Sequence, residues 1–176
     1  MFNKTIIDGV LLRKNKVIID ERGSFTKSFV ASEFMKYGLC VNFTEEFYSF
    51  SKKDVVRGMH FQMPPAAHDK VVYCAMGRVL DVVLDLRRMS TTYKKFLALE
   101  VSAAGGEMLY IPKGCAHGFL AIEDSIMVYK LETEHSPEND TGISWESFGF
   151  KWPVKHPTLS GRDLTHIDLD AFRSPF

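Results

Sequence analysis

The middle of the chain is a series of short apolar segments separated by turn sequences, and this pattern limits the possible folds more than any other feature. The segments are rich in β-branched and aromatic residues, which favour strands, and turn sequences such as AAGG (103–106) and PKG (112–114) separate them. Many short strands with Gly and Pro turns predict an all-β sandwich or barrel. The predicted strands are KVVYCAM (70–76), VLDVVLDLR (79–87), FLALEVS (96–102), GEMLYIP (106–112), HGFLAIE (117–123) and SIMVYKLE (125–132).

Alternation within residues 79–87 assigns the side chains of this strand to two faces. One face carries Leu80, Val82, Leu84 and Leu86, and the other carries Val79, Asp81, Val83, Asp85 and Arg87. Asp81 and Asp85 either point outward or line a polar cavity inside the barrel. The pattern leaves both alternatives open.

Helical signals are few. The segment SEFMKYG (32–38) has Ser32 as a candidate N-cap and a closing Gly38, which predicts a short helix. The C-terminal segment from Trp152 is irregular, with room for one more short helix. The length of 176 residues, without repeat, low-complexity tract or linker, predicts a single domain spanning 1–176.

Charge and cysteine content exclude several functional classes. Lys plus Arg and Asp plus Glu are equal at 22 each, which argues against binding to nucleic acid or to an anionic membrane. We expect neither a signal peptide nor a membrane span, because no apolar run has the required length. Cys40, Cys74 and Cys115 are odd in number and widely spaced, unlike a disulfide framework or a zinc pattern. A reduced, cytoplasmic location is therefore expected.

The segment RGMHFQ (57–62) carries the first candidate for chemistry. Strand alternation places His60 and Gln62 on one face, with Met59 and Phe61 on the other. Imidazole titrates near neutral pH, so His60 is a candidate general base. A hydrogen-bonded core histidine is the equally open structural interpretation.

Three further side chains on predicted strands could join His60. Lys70 opens an apolar strand, where it either reaches back to water or places a charge in the interior. His117 stands between Ala116 and Gly118, whose small side chains leave space for a ligand. Tyr129 lies in the middle of a strand, where packing is the common role of an aromatic side chain and proton donation the rarer one.

Five segments, taken in order along nearly the whole chain, resemble the nucleotide-sugar 3,5-epimerases that convert dTDP-4-dehydro-6-deoxyglucose toward rhamnose. This resemblance implies a cupin-type jelly-roll β-sandwich or barrel with a few short helices, a homodimer, and neither metal nor nicotinamide cofactor. The segments are DERGSFTKSF (20–29), VVRGMHFQMPPAAHDKVV (55–72), GRVLDVVLDLRRMSTTY (77–93), YIPKGCAHGFL (110–120) and WP with LSGRD (152–163).

The resemblance also implies a role for each candidate side chain. His60 is the general base and Asp163 orients it, while Tyr129 is the acid on the opposite face of the sugar ring. Lys70 and His117 stabilise the enolate oxygen. For binding, the resemblance implies that Arg22 and Arg57 hold the diphosphate and that Phe25 packs near the base from the partner subunit. Gln62 shares the face of His60 and is expected to contact the substrate.

Several positions at the nucleotide end of the site depart from the family pattern. Lys27 stands where a Glu is usual, and Glu45 and Phe47 replace the Gln and Asn of a Gln-x-Asn-x-Ser pattern that ends here in Ser49. His135 lies where the family carries an aromatic contact to the ligand. We therefore expect Lys27, Glu45, Phe47 and His135 to line the nucleotide site.

These departures leave the nucleotide open among CDP, dTDP and GDP. A Lys27–Glu45 pair could satisfy the ring nitrogen and the amino group of cytosine, whereas the N3–H of thymine would meet a donor; CDP is therefore favoured over dTDP. An unmatched buried donor costs roughly 1–3 kcal/mol, enough to select among bases. A plain ion pair between Lys27 and Glu45, without ligand contact, is the alternative.

Other functions remain open beside the cofactor-free epimerase. A related 4-ketosugar ketoisomerase would use a similar base without an opposing tyrosine, and a sugar-binding cupin could have lost activity. A metal-dependent cupin could use His60, His117 and a carboxylate, but Phe61 and Gln62 break the HxH pair that such cupins usually carry. The sequence does not say whether C3, C5 or both carbons are inverted.

Overall fold

A computed structural model describes all residues, Met1–Phe176. Thirteen strands and very little helix confirm the all-β prediction. In chain order the elements are β1 Phe2–Lys4, β2 Leu11–Lys14, β3 Val17–Asp20, β4 Gly23–Thr26, α1 Ala31–Met35, β5 Glu45–Ser51, β6 Val56–Gln62, β7 Lys70–Met76, β8 Arg78–Asp85, β9 Phe96–Ser102, β10 Glu107–Ile111, β11 Cys115–Ala121, β12 Ser125–Leu131, β13 Asp140–Gly142 and a single 3₁₀ turn, Asp163–Thr165.

Two antiparallel sheets form the body of the fold. The six-stranded sheet has the order β1-β2-β10-β7-β12-β5, and the five-stranded sheet has the order β13-β6-β11-β8-β9. Consecutive strands repeatedly fall in different sheets, as in a jelly roll. The chain therefore returns to each sheet several times, and residues distant in sequence become neighbours.

The main apolar core lies between the two sheets. Val72, Leu109 and Met127 contribute from the six-stranded sheet, and Val83 and Phe119 contribute from the five-stranded sheet. All five side chains are almost completely buried. Each strand thus turns one row of side chains toward the opposite sheet, as the alternation predicts.

The outer faces of the sheets are covered by the two ends of the chain. A second core cluster joins Val82 and Leu84 of β8 to Trp152 and Leu169 of the C-terminal segment. A third cluster places Phe34 of α1 against the outer face of the six-stranded sheet. The irregular C-terminal segment therefore covers the outer face of the five-stranded sheet. This packing brings its residues close to β6.

The two alternating faces of β8 are confirmed. Val82, Leu84 and Leu86 pack under the C-terminal segment, whereas Val79 and Val83 face the core between the sheets. Asp81 and Asp85 are fully buried, so the outward orientation is wrong for both. The Asp85 carboxylate accepts hydrogen bonds from Arg87, Ser90 and Thr92 and has a structural role at the end of β8.

Several predicted boundaries are shifted. The helix covers Ala31–Met35, begins after Val30 and has no side-chain cap, so Ser32 lies inside the helix instead of capping it. β8 ends at Asp85, because Arg87 folds back to bind this carboxylate. β11 begins at Cys115, two residues before the predicted start.

The hairpin formed by β3 and β4 stands apart from both sheets. Its strands pair only with each other. Ile18, Ile19 and Phe25 of this hairpin are exposed. No helix in the structure combines the length and the apolar character that crossing a membrane would require.

Candidate active site

A cavity of about 400 Å³ is lined by strands of both sheets. β5, β7 and β12 contribute from the six-stranded sheet, and β6 and β11 contribute from the five-stranded sheet. Most of the predicted site residues meet here. The predicted residues that line the cavity are Glu45, Phe47, Arg57, His60, Gln62, Lys70, His117, Tyr129 and His135.

His60 lines one wall of this cavity and forms a hydrogen-bonded pair with the buried Asp163. His60 lies on β6, and its Nε2 is 2.8 Å from Oδ1 of Asp163, which belongs to the C-terminal segment. The other carboxylate oxygen accepts a hydrogen bond from the backbone N–H of Gly58 at 3.3 Å. Burial raises the pKa of Asp163, but the hydrogen bond with His60 and the other hydrogen bonds outweigh burial and lower this pKa to about 2.

The ionised Asp163 fixes the tautomer of His60. A carboxylate only accepts hydrogen bonds, so the imidazole proton sits on Nε2 and the lone pair remains on Nδ1. About a third of the His60 side chain is exposed, and the ring lines the cavity. The pair can therefore remove a proton from a molecule bound in the cavity.

Tyr129 approaches the cavity from the opposite sheet. It lies on β12, its ring stacks on Phe47 at 4.6 Å between ring centroids, and its hydroxyl is 3.4 Å from Oγ of Ser49. Burial raises the pKa of Tyr129 well above its ordinary value. The phenol therefore stays protonated and can donate a proton from the wall that faces His60.

Lys70 and His117 supply further polar groups to the same cavity. Burial lowers the pKa of Lys70 to about 8, and its Nζ donates to the carbonyl oxygen of His60 at 3.4 Å. Nε2 of His117 lies 2.8 Å from Oδ2 of the fully buried Asp81. A second histidine–aspartate pair thus exists beside the first, and His60 and His117 are direct partners across β6 and β11.

Comparison with known proteins identifies the family. A family model described as dTDP-4-dehydrorhamnose 3,5-epimerase matches residues 4–171. The chain belongs to this family. It is accordingly an enzyme of the isomerase class with the cupin-type fold.

Relatives and solved structures of these epimerases agree along almost the whole chain. The dTDP-4-dehydrorhamnose 3,5-epimerase of Escherichia coli K12 is 40% identical over 172 residues, covering 95% of this chain and 93% of the relative. The crystal structure of the Bacillus anthracis enzyme of that name, with TDP and PPi bound, has a TM-score of 0.91 at 31% identity and covers 96% of this chain and 99% of its own. The Legionella pneumophila dTDP-6-deoxy-D-glucose-3,5-epimerase, in complex with dTDP-4-keto-L-rhamnose, has a TM-score of 0.92 at 29% identity, covering 98% and 94% of the two chains.

At the rim of the epimerase cavity, Glu45 and Gln62 are engaged by neighbouring loops. The Glu45 carboxylate accepts a hydrogen bond from the backbone N–H of His135 at 2.5 Å. Gln62 Oε1 accepts from the backbone N–H of Ser136 at 2.6 Å, and its Nε2 donates to the carbonyl oxygen of Ala66 at 3.0 Å. Both side chains therefore order the cavity rim, in addition to any contact with substrate.

Cationic groups also stand at the rim. Arg57 donates from Nε to Oγ of Ser51 at 2.9 Å. Arg162 binds Asp140 through both terminal nitrogens, and Nε2 of His135 is 3.1 Å from the same carboxylate. Arg162 lines the cavity but was not among the predicted site residues, although it lies in the LSGRD segment next to Asp163.

Three predicted residues do not reach the cavity within one chain. Phe25 lies on the separate β3–β4 hairpin, Arg22 lies in its turn, and Lys27 follows it; all three are exposed. Arg22 is paired with Asp20 of its own hairpin. Lys27 and Glu45 form no ion pair within the chain, since Glu45 binds the backbone of His135. The resemblance assigns Arg22 and Phe25 to the site of a partner subunit.

A second residue missed from the sequence lies beside the His60–Asp163 pair. His166 follows Asp163 by three residues, and its Nε2 is 3.6 Å from Oδ1 of Asp163, too long for a hydrogen bond. The rings of His60 and His166 meet edge to face at 5.5 Å between centroids. The metal-dependent alternative required His60 and His117 as ligands. The side chains that the structure brings close enough to share a metal ion are instead His60, Asp163 and His166.

Proposed function

We propose that this protein epimerises a dTDP-4-dehydro-6-deoxyhexose at C3, C5 or both, without a cofactor. One observation carries the proposal: the His60–Asp163 pair and Tyr129 face one cavity from two opposite sheets. Inversion of a carbon requires a proton to leave from one face and another to arrive on the opposite face. The relatives' names supply the class of substrate.

In the first half of the reaction, Nδ1 of His60 takes the proton from a carbon next to the C4 ketone. The C–H electron pair moves into the ring as a C=C bond, and the carbonyl electrons move to the C4 oxygen. Lys70 would donate to this oxyanion from its ammonium group. His117 would donate from Nδ1 as a doubly protonated imidazolium, because its Nε2 proton is held by Asp81. Such donors act strongly in a cavity that excludes water, where removal of one typically costs about 100- to 1,000-fold in rate.

In the second half, Tyr129 donates its proton to the same carbon from the other face. The C=C electrons form the new C–H bond, the ketone is restored, and the phenolate regains a proton from solvent. Because burial raises the pKa of Tyr129, the phenolate is a strong base and is readily reprotonated. The net change is the configuration of one carbon, with no oxidant or reductant consumed.

The alternative functions have less support. The relatives are named epimerases, not ketoisomerases, and a ketoisomerase would not need Tyr129 opposite the base. A sugar-binding protein without activity would have no use for a carboxylate that holds one tautomer of His60. We therefore favour the epimerase.

For the nucleotide, we propose thymidine in preference to cytidine. A solved relative holds TDP, and another holds a dTDP-linked sugar. The argument for CDP needs Glu45 free to accept from the amino group of cytosine, but Glu45 is engaged by the backbone of His135. The CDP preference expected from the sequence is the competing hypothesis, and a direct comparison of nucleotides decides between the two.

Titration calorimetry with dTDP, CDP, GDP and UDP is the first test. We expect dTDP to bind most tightly, by about tenfold, a difference of about 1.4 kcal/mol. The dTDP-linked 4-keto sugar, incubated with the protein in D₂O, should then take up deuterium at C3, C5 or both. A CDP preference would restore the Lys27–Glu45 argument, and the absence of exchange with the sugar of the preferred nucleotide would refute the epimerase.

We further propose a homodimer in which the β3–β4 hairpin reaches the partner's cavity. The hairpin pairs with no other strand of its own chain, and it exposes Ile18, Ile19 and Phe25. Edge strand β5 exposes Tyr48 and Phe50 beside the cavity. An added partner strand would cover such an edge. The cytoplasmic location remains a prediction from the sequence.

Mixing two inactive variants tests this arrangement. An Arg22→Ala chain retains His60, and a His60→Ala chain retains Arg22, so a mixed dimer would contain one complete site. We expect each variant alone to be impaired and the mixture to recover part of the wild-type rate. The readout is epimerisation after exchange of subunits, which differently tagged chains would verify. Full exchange without recovery would place each Arg22 at the site of its own chain.

A further inference from the structure

We propose that His60, Asp163 and His166 form a binding site for a divalent transition metal such as Zn²⁺, and that the bound metal inhibits the epimerase. The inhibition rests on the proposed function, whereas metal binding does not. The metal would be an inhibitor that captures the catalytic base, not a cofactor. His166 thereby gains a role that the epimerisation reaction does not give it.

The three side chains converge closely. Their potential ligand atoms all lie within 4.8 Å of one another. Oδ1 of Asp163 is 2.8 Å from Nε2 of His60 and 3.6 Å from Nε2 of His166. With metal–ligand bonds of about 2.0–2.1 Å, tetrahedral geometry places neighbouring ligand atoms about 3.3 Å apart. The two distances to Asp163 bracket this value, and ring rotations of His60 and His166 would bring their nitrogens to a common ion.

The unpartnered nitrogen of His166 supports a metal site independently of the distances. Its side chain is 8% exposed, and its Nε2 has no hydrogen-bond partner although it points into the cluster beside Asp163. A buried polar atom without a partner normally costs free energy. A ligand at this position would satisfy that nitrogen.

The fold holds His166 in this place from two sides. The backbone N–H of Ser144 donates to the carbonyl oxygen of Ile167 at 2.8 Å, which ties the segment next to β13. Gly142 leaves room for the ring, because a Cβ at this position would lie 2.5 Å from Nε2 of His166. A side chain at 142 would push the imidazole away from Asp163.

The ligand set suits zinc and neighbouring metals. Two imidazoles and one carboxylate are common ligands of Zn²⁺, and three protein ligands leave a fourth position open. His60 lines the cavity, so an ion can enter from there. Hard cations such as Mg²⁺ prefer oxygen ligands and should bind much more weakly.

Metal binding would abolish the basicity of His60. When Nε2 coordinates a cation, the single proton of the neutral imidazole moves by way of solvent to Nδ1. The lone pair that removes the sugar proton is then lost. The nucleotide end of the cavity, around Glu45 and Phe47, is not part of the cluster, so nucleotide binding should survive.

The test combines a binding measurement with an activity measurement. Co²⁺ should give the visible absorption of a tetrahedral site at a one-to-one ratio in wild type, and Zn²⁺ should displace it. Zn²⁺ should also stop deuterium uptake into the dTDP-linked 4-keto sugar while dTDP binding persists, and a chelator should restore uptake. In His166→Asn, at least about 10-fold more Zn²⁺ should be needed for the same binding and inhibition, because losing even an outer-shell partner typically costs about 10- to 100-fold in affinity.

His156→Asn is the matched control, because His156 is an exposed histidine outside the cavity and outside the cluster. It should keep the wild-type response to Co²⁺ and Zn²⁺, each measured against its own metal-free state. His166→Gln serves if His166→Asn does not fold. An unchanged metal affinity in the His166 variants would overturn the proposal, as would equal losses in the control. Because the Co²⁺ spectrum needs no turnover, failure of the epimerase assay would leave this test intact.

Discussion

Replacement of His60 by alanine is expected to lower deuterium uptake at the sugar carbons by about 100- to 10,000-fold, the usual contribution of a general base. Binding of the nucleotide should remain, because the diphosphate and base are expected to contact the rim of the cavity, not the imidazole. The measurement is the rate of uptake in D₂O, beside calorimetry with the nucleotide alone. His156→Ala, which removes an exposed histidine, is the matched control and should behave as wild type.

The companion variant Asp163→Asn tests whether Asp163 controls the tautomer of His60 or only fills space beside it. A carboxamide has nearly the volume of the carboxylate, but its NH₂ group can donate to Nε2 of His60. The imidazole would then hold its proton on Nδ1, which is the wrong tautomer for a base. We expect a loss of rate approaching that of His60→Ala, with folding retained. Wild-type exchange in His60→Ala would refute the assignment of the base, and wild-type exchange in Asp163→Asn would refute the role of the tautomer.

Strand patterns made much of this site predictable. Period-two alternation depends only on local sequence. It placed His60 and Gln62 together, and both line the cavity, while Met59 and Phe61 join the cluster under the C-terminal segment. It also assigned the two faces of β8 correctly. The convergence of His60 with Asp163 is different, because these residues are 103 positions apart in the chain. No local rule links them. Only the resemblance to known epimerases suggested the pair.

What the sequence did not reveal depends on tertiary placement. His166 follows Asp163 in an irregular segment, and its position beside the His60–Asp163 pair results from the bridge between Ile143 and Ile167. The sequence left the orientation of Asp81 open, because a buried and a solvent-facing aspartate fit the same alternation. The structure shows a buried Asp81 that pairs with His117. Likewise, Ser32 satisfies the residue preference of an N-cap, but the helix begins before it because Phe34 packs against the six-stranded sheet.

Replacement of Tyr129 by phenylalanine is expected to separate proton removal from inversion. Phenylalanine keeps the stack on Phe47 and removes only the hydroxyl, whose single side-chain partner is Ser49 at 3.4 Å. Deuterium uptake should persist, because His60 can still remove a proton and return a solvent-derived one to the same face. Formation of the inverted sugar should fall by about 100-fold or more, since no acid remains on the opposite wall.

The ratio of exchange to inversion is therefore the decisive quantity, and both can be followed in one sample by NMR of the sugar protons. Wild type should invert about as often as it exchanges, whereas Tyr129→Phe should exchange many times for each inversion. Phe47→Leu is the matched control, because it removes the stacking partner and leaves the phenol in place; it should weaken binding without changing the ratio. A normal ratio at a normal rate in Tyr129→Phe would mean that another group donates the proton. Lys70, which lies on the same sheet as Tyr129, would then be the next donor to test.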